Sequence, residues 1–142
     1  MQKLNIQTTK KREIIDITDR ASKFLRNKVA LAHVFVAHTT AAITVMDLDP
    51  GTDLDFLDAL DGLLPNLNWR HPHDPSHTPD HLLASIIGPD VTVPCADSQV
   101  LLGTWQRIVL VEFDGPRERS LIILCCMKFA KLIINTETKP HN

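Results

Sequence analysis

Four of the seven histidines in this 142-residue chain crowd into one stretch, Asn68-Trp69-Arg70-His71-Pro72-His73-Asp74-Pro75-Ser76-His77-Thr78-Pro79-Asp80-His81. Imidazoles gathered this way suit two kinds of chemistry. Neutral ring nitrogens converge on a metal, at about 2.0–2.1 Å for zinc, or a ring near its ordinary pKa moves a proton. Pro72, Pro75 and Pro79 each remove a backbone donor and bias the preceding residue away from helix, so the stretch is a stiffened loop. Those prolines also rule out a helical His-Glu-x-x-His motif. His38 closes a long apolar run and is followed by two hydroxyls, Thr39 and Thr40. Glu112, in a β-type run, and Asp55, on an acidic helix, are the carboxylates available to orient an imidazole. Burial raises a carboxylate's pKa and a nearby cation lowers it. A His-rich polar loop and a structurally satisfied His38 are the plain alternatives.

Other chemistries have weaker support. Phosphate binding wants glycine-rich loops, helix N-termini or Arg and Lys. Gly103-Thr104 and Gly115-Pro116-Arg117-Glu118-Arg119 offer such pieces, but neither is a Walker loop. There is no Gly-x-Gly-x-x-Gly and no Gly-x-Ser-x-Gly. Cys95, after Pro94, has nothing local to activate it as a nucleophile.

The elements that must position these residues follow from periodicity. Leu4, Ile6 and Thr8 alternate with polar neighbours, as does Glu13 to Thr18, and Lys10-Lys11-Arg12 between them predicts a hairpin with a solvated basic turn. Thr18 or Asp19 caps a helix running through Leu25 to near Asn27. Val29 to His38 is a strand with Leu31, His33, Phe35 and Ala37 on one face and Ala32, Val34, Val36 and His38 on the other. Ile43-Thr44-Val45 continues it past a kink or forms a second strand. Asp49-Pro50 starts a helix with Leu54, Leu57, Leu60 and Leu64 as its stripe. Asp80 caps a short helix that puts His81 and Ser85 one turn apart on a shared face and stops at Gly88-Pro89. The last third is β: Val91 to Pro94, Val100 to Leu102, Gln106 to Asp114 and Ser120 to Met127. Leu121 to Met127 is apolar on both faces, as in a central strand or a subunit interface. The stretch after Phe129 adds an edge strand or frays.

Length predicts one domain over residues 1–142, with a core at 1–127 and a tail at 128–142. The chain is 44% apolar and 23% charged, with net charge −2 and 5% aromatics. That excludes a disordered chain and gives no basic, aromatic-studded surface for nucleic acid. Three cysteines, two of them adjacent, argue against a disulfide framework, and Cys125 and Cys126 read as packing residues. No stretch reads as a secretory signal and no apolar run is long enough for a bilayer, so the expectations are a cytoplasmic location and no membrane contact.

Taken together, several segments resemble the YjbQ-like family, also called the secondary thiamine-phosphate synthase enzyme family. They are His38-Thr39-Thr40-Ala41-Ala42-Ile43-Thr44-Val45, the acidic helix with Asp55, Trp69-Arg70-His71, and His81 to Ser85 with Gly88-Pro89. Val93-Pro94, Leu102-Gly103-Thr104-Trp105-Gln106 and Glu112-Phe113-Asp114-Gly115-Pro116-Arg117 complete the set. The resemblance covers Met1 to Met127 and is most specific at Gly103 to Gln106. It implies an α+β fold: a two-sheet β-sandwich of about seven strands with short helices, assembled as a homotrimer. It implies weak thiamine-phosphate synthase activity, joining a pyrimidine diphosphate to a thiazole phosphate with release of diphosphate. The implied catalytic residues are His38, Thr39, Thr40, Asp55 and Glu112. Ser85, Gly103, Thr104, Trp105, Gln106 and Arg117 would hold a small phosphorylated ligand. His38, His71 and His81 would hold a divalent metal, zinc or magnesium. The sequence departs from the family pattern at Met46-Asp47, where the family has Asn-Glu, at Asp90 in place of Ser, and at Ser98 in place of Gly. Those departures favour a second reading, a non-enzymatic trimeric module that binds metal or a small ligand.

Overall fold

The computed structural model describes residues 1–27 and 29–127. The tail at 128–142, and the edge strand or frayed end expected there, lie outside the described residues. Among the described residues, eight strands, three α-helices and one 3-10 turn follow in order: β1 Gln2–Gln7, β2 Glu13–Asp16, α1 Thr18–Ser22, β3 Val29–Val36, β4 Ala41–Asp47, α2 Thr52–Asp61, the 3-10 turn Pro75–His77, α3 Thr78–Ile87, β5 Asp90–Ala96, β6 Gln99–Val100, β7 Gln106–Glu112 and β8 Glu118–Met127. The stretch read as a stiffened loop is thus helical from Pro75 to His81. They form two antiparallel sheets, β1-β8-β3-β5-β6 and β2-β7-β4. The α+β reading and the two sheets hold, with eight strands in place of seven.

β7 sets the layering because both its faces are apolar. Ile108 and Leu110 join Val34, Val36, Leu121 and Ile123 in a core between the sheets. Val109 and Val111, with Phe113 just past the strand, pack instead with Leu60 of α2 and Leu83 and Ala84 of α3. The three-stranded sheet is therefore a middle layer, with the five-stranded sheet on one side and α2 and α3 on the other. Each wholly buried Ile, Leu or Val contributes about 1.5–3 kcal/mol by leaving water.

The expected β1–β2 hairpin is corrected. β1 pairs with β8 and β2 with β7, in different sheets. The turn between them carries the chain from one layer to the other, so Ile6 and Ile17 enter the same interlayer core. Two other connections do likewise: β3 crosses to β4 through Ala37–Thr40, and β7 to β8 through Phe113–Arg117. Register places all three crossovers at one end, since Glu112 lies opposite both Glu13 and Ala41, Gln7 opposite Glu118, and Val36 opposite Leu121.

Further corrections are local. α1 ends at Ser22, short of Asn27. Leu54 is 61% exposed; the buried side of α2 is Phe56, Leu57 and Leu60 instead. Arg12 does not lie in a solvated turn. It is only partly exposed, pairs with Asp61 and with Asp80 at 2.7 Å, and its guanidinium sits 5.8 Å from the Phe113 ring centroid. Asp80 is accordingly buried in the first turn of α3, and His77 takes the N-cap position. Cys126 is exposed, whereas Cys125 packs against the core.

Candidate functional site

The three crossovers meet on a buried charge pair. Glu112 follows Ile108 and Leu110 on the inward face of β7, and Arg119 precedes Leu121 and Ile123 on the inward face of β8. Both are almost wholly buried. Arg119 Nε donates to Glu112 Oε2 at 2.7 Å, and a second guanidinium nitrogen donates to Oε1. Thr8 Oγ1, from the first crossover, lies 3.1 Å from Oε2, and the Asp114 amide donates to Oε1 at 2.8 Å. Arg119 also reaches the second crossover, with 2.9 Å to Thr40 Oγ1 and 3.2 Å to the Thr40 carbonyl. A buried ion pair persists only when such extra bonds satisfy its oxygens and protons.

This changes the expected roles. Glu112 is committed on both oxygens to Thr8, Asp114 and Arg119, so it holds the site's frame, and among the described residues it is hydrogen-bonded to no imidazole. Thr40 is buried and serves as an acceptor for Arg119. Arg119, grouped with the phosphate-binding pieces by sequence, is unavailable to an external anion. Thr8 and Ser120 were not singled out at all. One signal was there: an acid and a base each stand at the inward position of an alternating apolar strand, a pattern that predicts a buried pair.

Above this frame lies a cavity of about 370 Å³, lined by Phe35, Val36, Ala37, His38, Thr39, Ala41, Ala84, Ser85 and Pro89. Its walls are mainly apolar, with His38, Thr39 and Ser85 as the polar side chains. His38 Nε2 accepts the Ser120 backbone N–H at 2.9 Å. A backbone amide can only donate, so Nε2 carries the lone pair and the neutral ring keeps its proton on Nδ1. Burial pushes the His38 pKa below its usual 6.5, and the Arg119 charge adds to this. Glu112 opposes the shift and Arg117 reinforces it.

His81 is fixed the other way round. Its Nδ1 lies 3.2 Å from the Thr39 carbonyl, which can only accept, so Nδ1 holds the proton and Nε2 carries a free lone pair. The His71 ring lies beside it at a tilt of 53°, ring centroids 5.0 Å apart. Ser85, one turn along α3, donates to the His81 carbonyl at 2.8 Å and lines the cavity. His38 thus offers an N–H at the cavity wall, beside the hydroxyls of Thr39 and Ser85, and His81, which is not a wall residue, offers a lone pair from the neighbouring turn of α3.

The remaining expected residues lie elsewhere. Asp55 is exposed on α2, and among the described residues it has no side-chain hydrogen bond or ion pair to a histidine. Gly103 to Gln106 sits at the opposite end of β7, since Gln106 pairs with Asp47 while Glu112 pairs with Ala41. Six residue-to-residue steps along β7 separate those ends, roughly 20 Å. There the Gln106 side chain accepts the Gly103 amide at 2.8 Å, and Trp105 is 67% exposed beside Thr104, Asp47 and Arg107. Arg117 is tied to Asp114 at 2.7 Å on the surface. Cys95 is buried, and burial raises its thiol pKa.

A three-histidine metal centre does not fit this arrangement. Two imidazoles sharing a tetrahedral metal hold their ring centroids roughly 5 Å apart, and His71 with His81 meets that condition. His38 does not complete the set, because the Ser120 amide already occupies its one lone pair. Among the described residues no group of three or more His, Cys, Asp or Glu is arranged around a metal position.

A family model described as UPF0047 protein YjbQ-like matches residues 2–128. This chain belongs to the YjbQ-like UPF0047 family. A UPF0047 protein of Archaeoglobus fulgidus is 37% identical over 121 residues, covering 84% of this chain and 96% of that protein. YugU of Bacillus subtilis is 36% identical over 130 residues, covering 87% and 96%. A solved YjbQ/UPF0047 structure from Clostridium acetobutylicum superposes with a TM-score of 0.80 at 31% identity, covering 89% of this chain and all of that one. A conserved hypothetical protein from Thermus thermophilus gives 0.81 at 28% identity, with 89% and 100% coverage. The two-sheet architecture is thus the architecture of the YjbQ-like fold, and no helix described here is long and apolar enough to cross a membrane.

Proposed function

We propose that this YjbQ-like protein holds a small phosphorylated heteroaromatic ligand in the His38 cavity and acts as a weak thiamine-phosphate synthase-type transferase. The observation that carries this reading is a pair of imidazoles with opposite hydrogen-bonding groups: a donor at His38 Nδ1, on the mainly apolar cavity wall, and an acceptor at His81 Nε2, one turn of α3 from the wall residue Ser85. An aminopyrimidine supplies the complement, a ring-nitrogen acceptor and an exocyclic N–H donor. In the transfer, the thiazole nitrogen forms a bond to the pyrimidine's methylene carbon as the carbon–oxygen bond to diphosphate breaks. The nucleophile loses no proton. A lone pair on the amino N–H raises electron density in the ring, which supports positive charge at that carbon.

Departing diphosphate needs cationic or metal stabilisation. Here Arg119 is committed to Glu112 and Arg117 to Asp114, and no step is assigned to a metal. Slow turnover is the expected consequence. The same observation favours the second reading, a non-enzymatic binding module. Self-association belongs to both. The outer face of the five-stranded sheet presents Leu31, Phe35, Ile122, Leu124 and Cys126 on adjacent strands, with no layer over it among the described residues. Phe35 and Ala37 continue that face into the cavity wall. A homotrimer closing over this face is the proposed assembly, and a cytoplasmic location the proposed setting.

Incubating the protein at high concentration with the pyrimidine diphosphate and the thiazole phosphate tests the reading. Slow product formation is expected, reduced about tenfold in His81→Ala, the size of one lost hydrogen bond in the transition state. Pyrimidine binding without product leaves the module. If the wild-type protein does not bind the pyrimidine at all, the transferase reading fails, and so does a module that takes the pyrimidine as its ligand.

A further inference from the structure

Resting on the site just described, we infer that Arg119 is a positioning residue that fixes which face of His38 meets a ligand. The second crossover is fastened to β8 at two adjacent residues. The Ser120 amide donates to His38 Nε2 at 2.9 Å, and the Arg119 guanidinium grips Thr40 at its carbonyl, 3.2 Å, and its hydroxyl, 2.9 Å. Thr40 is two residues from His38, so holding Thr40 fixes where the loop leaves β3 and enters β4. Ser120 in turn follows Arg119 along β8, and Arg119 is locked by two bonds to Glu112.

The consequence is chemical as well as mechanical. A histidine free to flip presents either nitrogen to a ligand. With Nε2 held against a backbone amide, only Nδ1–H faces outward, and that proton is the donor the site offers. A planar guanidinium spans the carboxylate and the threonine together because its donors lie in a fixed fork. A lysine ammonium keeps the charge but cannot reach both partners in that geometry. The Ala84 and Ser85 wall from α3 brings no competing charge to His38.

Truncating Arg119 would strand Glu112, so the test uses variants that keep the inner pair charged. Arg119→Lys retains the cation, and Thr40→Val removes the hydroxyl while leaving Arg119 and Glu112 intact. Imidazole nitrogen shifts, read by ¹⁵N–¹H correlation on the full-length protein near neutral pH, identify the protonated nitrogen of His38. The backbone amide spectrum verifies the fold. In the wild type His38 carries its proton on Nδ1. In folded Arg119→Lys a mixture of Nδ1–H and Nε2–H forms is expected, with a smaller shift in the same direction in Thr40→Val. A His38 that stays wholly Nδ1–H in both folded variants overturns the inference and leaves Arg119 as a structural ion pair. If Arg119→Lys does not fold, Thr40→Val decides alone. A wild-type His38 with its proton on Nε2 instead counts against the donor–acceptor reading of the site itself.

Discussion

The two ends of β7 use the same side-chain chemistry to opposite effect. At the crossover end an arginine and a glutamate are sealed beneath three chain connections, and every recorded partner of Glu112 is internal. At the far end Arg107 pairs with Asp16 at 2.6 Å and Asp19 at 3.1 Å, but those groups are bathed by solvent. Water screens the second pair and cannot reach the first. Breaking a buried pair leaves an uncompensated charge, whereas an exposed pair contributes little. A site that must hold an imidazole to within a fraction of an ångström is therefore expected over the buried pair. The His38 cavity lies there, and the exposed Trp105 loop lies at the other end.

This contrast breaks most visibly at Glu112. Glu112→Ala leaves Arg119 buried and unpaired, and a loss of about 3–5 kcal/mol is expected in urea unfolding. A loss below about 1 kcal/mol would place Glu112 in contact with water. Gly115→Ala comes next. A β-carbon there would collide with the Lys10 carbonyl and lie 2.8 Å from Thr8 Oγ1, so the first and third crossovers could no longer pack together. A loss of about 1–3 kcal/mol is expected from this overpacking, measurable as a lowered thermal midpoint. Arg107→Ala, at the far end, should cost no more than about 1 kcal/mol and should lose even that in high salt.

A subtler effect sharpens the same comparison. The folded pKa of His38 lies below 6.5, mainly through burial. Between that folded value and 6.5 the unfolded chain binds more protons than the native one, so stability rises with pH across the interval. It is lost as pH falls through 6.5 towards the folded value. His38→Gln should flatten that part of the stability–pH curve. An unchanged slope would mean that His38 is hydrated in the native state.

Much of the scaffold was legible because it depends on local pattern. Alternation located β3, β7 and β8 and assigned the faces of β3 correctly, and Gly88-Pro89 marked the end of α3. The β1–β2 error has a physical cause. Two alternating runs joined by a short polar turn look alike whether they pair with each other or with distant strands, because pairing partners are not a local property. Resemblance supplied the family and directed attention to His38 and Ser85, which line one cavity, and to His81, one turn of α3 from Ser85. It also pointed to Gly103–Gln106, which one chain places at the other end of the sheet. Burial of Glu112 was half visible, since its inward face could be read. Its partner became plain only when β8 was laid opposite β7. Asp80 shows the same limit. Its position favoured a cap, but Arg12, from a turn read as solvated, draws it into the interior.

The claim on which the functional reading stands is that His38, on the cavity wall, and His81, one helical turn from it, present opposite hydrogen-bonding groups, a donor and an acceptor. A ¹⁵N–¹H correlation spectrum of both imidazoles in the wild-type protein at neutral pH measures it directly. Both rings should carry the proton on Nδ1, with His38 Nε2 coupled to the Ser120 amide and His81 Nε2 free to accept from an added aminopyrimidine. A proton on Nε2 of His81, or no coupling between His38 and Ser120, would contradict it.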